Sequence, residues 1–112
     1  MPSPPLAPDD GPIDLAHLQR MTLGDASLEQ EVLAMFAAQS VGLLDELSSL
    51  PPHTVELAHK LKGSARAIGA YRVAEAAEWL ETAGPEAGQA LMALNEAVAE
   101  ARSVIDGILR RS

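Results

Sequence analysis

Residues 59–70 read His-Lys-Leu-Lys-Gly-Ser-Ala-Arg-Ala-Ile-Gly-Ala. Ala58, Leu61, Ala65 and Ile68 follow three-four-three spacing, the apolar stripe of an amphipathic helix. Gly69 stands where a left-handed turn would end that helix. The spacing therefore predicts a helix over about Thr54 to Ile68. His59 lies about 100° round the axis from Ala58, at the edge of the buried face or beyond it, and is expected to be wet. Residues three, four and seven along share a helix face, so His59 is grouped with Lys62, Gly63 and Arg66.

Working outward, apolar spacing is helical nearly throughout from Ile13, and no alternating run of β-branched residues argues for a strand. A short first helix is expected from about Asp14 to Met21, capped by Asp14, with Leu15 and Leu18 inward. After Gly24, either Asp25 or Ser27 can cap a long second helix. Its stripe is read as Leu28, Val32, Met35, Phe36, Gln39, Leu43, Leu47 and Leu50, and Pro51-Pro52 ends it. A fourth helix fits about Arg72 to Thr82, with Val73, Ala76, Ala77 and Leu80 inward, stopped by Gly84-Pro85. The last, about Glu86 to Arg110, repeats Leu91, Leu94, Val98, Ala101, Ile105 and Ile108. The fold class is all-α. Short connections make an antiparallel up-down-up-down four-helix bundle, preceded by the short extra helix, the economical topology.

Residues 1–12 hold five of the eight prolines. Without aromatic residues they have little to bury, and are read as a disordered proline-rich leader to a bundle domain over residues 13–112. The start lacks the basic and apolar stretches of a signal peptide, and no run is long enough to span a bilayer. A cytoplasmic protein with no membrane partner is expected. The initiator methionine and the leader favour a free-standing protein over a domain cut from a longer one. A monomer is expected, because a four-helix bundle consumes the seam of its last helix internally.

Sixteen acidic residues against eight basic ones give a formal net charge of −8, which argues against nucleic acid as a partner. The chain has no cysteine, so disulfides and thiolate metal sites are excluded. His53 and His59, six residues apart, do not share a helix face, which leaves no basis for a zinc site. His17 and His53 have surroundings that suit surface or capping roles. Met21, Met35 and Met92 read as core fillers. Trp79 and Tyr71 stay outside the site, Tyr71 as a possible brace for the turn after Gly69. No cofactor is expected, since the eight glycines are scattered and form no nucleotide loop.

Four of the eight basic residues are Lys60, Lys62, Arg66 and Arg72, so a positive patch sits on an anionic body. Such a patch is commonly only a solvated helix face. Beside a histidine, however, it meets the needs of a phosphoryl carrier. An imidazole titrates near pH 6.5 in water, so an exposed one offers a neutral nitrogen lone pair at neutral pH. Gly63 costs about 1 kcal/mol relative to alanine in a helix and clears space beside the ring. Lys62 can lean toward a phosphoryl oxygen, while Lys60 and Arg66 are assigned to partner docking. Gln39 interrupts the second helix's stripe and either reaches the histidine across the bundle or faces its rim. Glu75, Glu78 and Glu81 read as a solvated acidic face.

His59, Leu61, Lys62, Gly63, Ser64, Ala65, Ile68 and Gly69 resemble the H-x-L-K-G-S-A-x-x-I-G signature of histidine-containing phosphotransfer (HPt) domains. The resemblance covers this helix by sequence and nearly all of residues 13–111 by helix layout. It implies that His59, through Nε2, accepts phosphate from an aspartyl phosphate on a receiver domain and passes it to another receiver domain. Lys62 would support the phosphoryl group and Gly63 give it room. The implied partners are response-regulator receivers and a histidine kinase, simple or hybrid; the divalent metal and most of the catalysis belong to the receiver. The chain would be a carrier with no kinase activity of its own. The competing readings are a module that binds a receiver without taking phosphate, and a self-associating helical scaffold.

Overall fold

The computed structural model describes residues 11–111, and residues 1–10 of the leader expected over residues 1–12 lie outside them. Gly11 and Pro12 form a bend that leads into the first helix. The described residues form α1 (Leu15–Met21), α2 (Ala26–Leu47), α3 (Thr54–Ile68), α4 (Tyr71–Thr82) and α5 (Ala87–Arg111), with a 3-10 turn at Gly84–Glu86 and no strand. The all-α class holds. α2 packs on α3, α3 on α4, α4 on α5 and α5 back on α2, closing a ring, while α1 sits against α3.

Caps start the helices where short polar side chains are available. Asp14 accepts from the backbone N–H of His17 at 3.1 Å, and Asp25, not Ser27, accepts from that of Leu28 at 3.0 Å. α3 ends at Gly69, whose φ of +83° lets its N–H reach back to the carbonyls of Ala65 and Arg66. α4 then starts at once, one residue earlier than expected, so α3 and α4 form a hairpin about Gly69 and Ala70.

The facing surfaces of that hairpin are rich in small residues. Ala58, Ala65, Ala70, Ala74 and Ala77 are all buried, which lets the two helices approach closely. Leu61 and Ile68 from α3, Val73 and Leu80 from α4, and Leu94, Val98 and Ile105 from α5 complete the middle of the core. The expected inward faces of α3 and α4 are all buried. On α5, Leu94, Val98, Ala101 and Ile105 are buried, whereas Leu91 and Ile108 are half-buried and Ala90 takes the remaining place.

Three expectations need correction. Leu15 is 45% exposed, because α1 and its flanks seat through Ile13, Leu18 and Thr22 instead. On α2 the buried stripe is Leu33, Phe36, Ser40, Leu43 and Leu47: Phe36, Leu43 and Leu47 are buried as expected, while Leu33 and Ser40 take the places given to Val32 and Gln39. Ser40 is tolerated inside because its hydroxyl donates to the Ala37 carbonyl at 2.9 Å. Val32 and Gln39 are left half-buried at the helix edge, and Leu28 and Leu50 are exposed. The methionines fill no core: Met21, Met35 and Met92 are all exposed.

α1 is fastened to the elbow after α3. The Asp14 N–H donates to the Gly69 carbonyl at 2.9 Å, and His17 Nε2 lies 3.0 Å from the Ala67 carbonyl. The His17 ring meets the edge of Tyr71 at a centroid distance of 5.9 Å. His17 is thus a structural clamp, and Tyr71 braces the elbow as its position suggested. His53 stands exposed at the start of α3 with no side-chain cap bond.

Candidate functional site

α3 turns its apolar stripe into the ring and leaves His59, Lys60, Gly63 and Arg66 on the outside. The His59 side chain is 72% exposed. A Cβ built on Gly63 would meet no atom within 4 Å, so the surface one turn beyond His59 is open. Lys60 is exposed on a neighbouring azimuth. Arg66 is half exposed and loosely paired with Glu78, at 3.6 Å.

Lys62 does not share this exposure. Its side chain is 11% exposed, and its ammonium reaches across to α4, where it lies 2.9 Å from Glu81 Oε2 and donates to Oε1 at 3.1 Å. Glu81, itself 15% exposed, also accepts a long hydrogen bond from His59 Nδ1 at 3.3 Å through Oε2. One carboxylate therefore joins the histidine and the lysine of the signature. The reading of Glu75, Glu78 and Glu81 as a solvated face holds for Glu75 and Glu78, which are exposed, and fails for Glu81.

The hairpin explains the meeting. His59 and Glu81 lie nearly equal distances before and after the Gly69–Ala70 elbow, and the alanine-lined contact brings α4 close enough for a glutamate to span the gap. Burial pushes the Glu81 carboxyl up, but the hydrogen bond and charge of Lys62, with a smaller share from His59, more than reverse this. Its pKa lies below the usual glutamate value, and at neutral pH the group is a carboxylate.

That charge state fixes the imidazole. A carboxylate only accepts, so the proton shared with Glu81 belongs to Nδ1, and in the neutral ring Nε2 is left with the lone pair. No polar group among the described residues engages Nε2. The arrangement presents an oriented, solvent-facing nitrogen nucleophile beside open space, with cationic side chains on the same helix.

Beside α3, on the side away from Glu81, a cleft of about 420 Å³ opens between α2 and α3. It is lined by Val32, Met35, Phe36, Gln39, Ser64, Ala67 and Ile68. Met35, 67% exposed, stands at its mouth. Gln39 thus lines the cleft with Ser64, while the partner of His59 is Glu81. Among the described residues no group of three metal-ligating side chains gathers, and no helix is long and apolar enough to cross a membrane.

A family model described as Hpt domain matches residues 31–109, more than half of the chain, spanning most of α2, all of α3 and α4, and most of α5. The chain matches no curated protein and no solved structure with which it was compared.

Proposed function

Because the chain belongs to the Hpt domain family, whose members carry a phosphoryl group on histidine within phosphorelays, we propose that His59 is its phosphoacceptor. It takes the group from an aspartyl phosphate of one receiver domain and delivers it to an aspartate of another. The observation that carries this reading is the exposed His59 ring, bonded through Nδ1 to Glu81 so that Nε2 faces solvent as the nucleophile.

The transfer is an in-line displacement in which Nε2 attacks phosphorus and the receiver carboxylate leaves. The protein has only to present the ring, keep its tautomer and leave room for a tetrahedral dianion. His59, Glu81 and Gly63 meet these needs in turn. The receiver supplies its divalent metal and most of the catalysis, so the chain is a carrier with no kinase activity of its own. Lys60 and Arg66, exposed on the same helix as the ring, suit docking to an acidic receiver face. We assign the protein to the cytoplasm as a monomer, with a histidine kinase, simple or hybrid, upstream.

The test is incubation with a panel of phosphorylated receiver domains, read by intact mass before and after mild acid. Wild type gains one acid-labile phosphoryl group. The His59→Gln variant gains none while keeping its helicity and its receiver affinity, since an exposed side chain contributes little to the fold. Equal phosphate incorporation in the variant would refute the assignment. Binding without any phosphoryl gain in wild type would favour a module that sequesters receivers.

A further inference from the structure

The contact between Glu81 and His59 bears on the phosphorylated state as well as the free one. We propose that the Glu81 carboxylate, held in place by Lys62, keeps Nδ1 of His59 protonated after Nε2 has taken the phosphoryl group, and so sets how readily that group leaves. This rests on His59 being the acceptor.

The steps balance as follows. On the way in, the Nε2 lone pair forms the N–P bond, the P–O bond of the aspartyl phosphate breaks, and its electron pair departs on the receiver carboxylate. Nδ1 keeps its proton, so the ring is now a cation. On the way out, a receiver carboxylate or a water oxygen forms a new P–O bond, and the N–P pair returns to Nε2. A ring that still holds its Nδ1 proton departs as neutral imidazole. One that has lost it must depart as an imidazolate anion, a far poorer leaving group. Whatever holds the Nδ1 proton therefore governs both spontaneous hydrolysis and onward transfer.

The geometry supplies that group. Glu81 Oε2 lies 3.3 Å from Nδ1, where its negative charge stabilises the cationic ring through a charge-assisted hydrogen bond. Lys62 touches both carboxylate oxygens, at 2.9 and 3.1 Å, which pins the carboxylate toward the ring. The same ammonium keeps Glu81 ionised, so the proton stays on the imidazole. Glu81 from α4 and Lys62 from α3 are the charged groups that face the ring. Arg66 and Glu78 pair with each other farther along the hairpin, and no ion pair joins α2 or α5 to His59 among the described residues. Glu81 touches neither phosphorus nor the attacking atom and is a positioning residue. Lys62 acts one step further back, through Glu81.

The experiment loads the full chain with phosphoramidate, a small-molecule phosphoryl donor, so that no receiver is needed. Decay of the phosphorylated form is followed at neutral pH by intact mass in wild type, Glu81→Gln and Glu81→Asp. Ring ¹⁵N shifts of phosphorylated His59 report directly whether Nδ1 carries a proton. Glutamine keeps the shape and an acceptor oxygen but removes the charge. It should slow hydrolysis about fivefold, equivalent to about 1 kcal/mol, and move the Nδ1 shift toward the unprotonated value. Aspartate, shorter but charged, should restore part of both. Unchanged decay and an unchanged Nδ1 shift in Glu81→Gln would overturn the inference, as would faster decay. Failure of wild type to take phosphate on His59 would instead overturn the carrier reading, and this inference with it.

Discussion

Gly69 offers the sharpest test of how the signature helix ends and how α1 is seated. Its φ is +83°, and a Cβ added there would lie 2.9 Å from the Asp14 carbonyl oxygen, 3.1 Å from Asp14 Cβ and 3.3 Å from His17 Cδ2. In Gly69→Ala, holding a Cβ in the left-handed region costs about 1 to 2 kcal/mol. The first of those contacts is with backbone, so α1 itself must shift, which strains the 2.9 Å bond from the Asp14 N–H to the Gly69 carbonyl. Loss of such a bond removes about 1 kcal/mol. The smaller unfolded-state entropy of alanine offsets about 0.5 kcal/mol. The variant should therefore be less stable by about 2 kcal/mol, a fall in melting temperature of roughly 10 °C for a domain of this size.

Gly24 provides the control. Its φ is +76°, yet a Cβ there would meet nothing within 4 Å. Gly24→Ala carries the same backbone strain and the same entropic offset without the encounter with α1. Urea unfolding of both variants, followed by circular dichroism, measures the difference, which should be about 1 kcal/mol or more against Gly69→Ala. His59 lies about 15 Å along α3 from Gly69, so folded Gly69→Ala should accept phosphate at the wild-type rate. Equal destabilisation of the two variants would show that α1 does not rest on the elbow in solution.

Two further outcomes follow from the site. Gly63→Leu should fold at least as stably as wild type, because open space surrounds the Cβ position and leucine favours helix. Its phosphoryl uptake from receivers should drop by at least about tenfold, and undiminished uptake would reduce Gly63 to a packing role. Lys62→Met should cost about 1 to 3 kcal/mol at neutral pH, because it leaves a mostly buried carboxylate without its ammonium. The depressed Glu81 pKa contributes stability that is present above the unfolded glutamate value, about 4.3, and is lost as pH falls through the lower folded value. In the variant the effect of burial loses its main opponent, so acid relieves the penalty. Urea midpoints of wild type and Lys62→Met should therefore converge below about pH 4.5; parallel curves would refute the pairing.

α3 was legible because its apolar row is unambiguous and a glycine marks its end; the phosphoacceptor candidate came with it. α2 was legible in part: Phe36, Leu43 and Leu47 were placed inward correctly, but beside them Val32 and Gln39 compete with Leu33 and Ser40 for the same face, and only packing between α3 and α5 selects the latter. The methionines were misplaced because residue type alone does not say which face a helix turns inward. Glu81 was missed for a different reason. Acidic residues at steps of three look solvated on a single helix, and the partner of Glu81 lies 19 residues away at Lys62. A signal was present: residues equally far on either side of Gly69–Ala70 must meet if the elbow is tight, and the alanines on both sides say that it is.

That meeting gives the lysine of the signature a carboxylate partner on α4. A motif read along one helix sends Lys62 toward the phosphoryl oxygens, where its charge would be spent directly on the dianion. Across the hairpin the same ammonium is engaged at 2.9 Å by a carboxylate that also bonds the ring. An incoming dianion would have to compete for Lys62 with Glu81, an anion already in place and mostly shielded from water. On this reading the two tasks are divided. On the proposed function, Lys62 and Glu81 would govern the ring, its tautomer before transfer and its proton afterwards, while neutralisation of the phosphoryl oxygens would fall to the exposed cations of α3 and to the receiver's metal. Such a division suits a carrier, whose own residues need only keep one nitrogen reactive in both directions while each partner brings the charge that the transferred group requires.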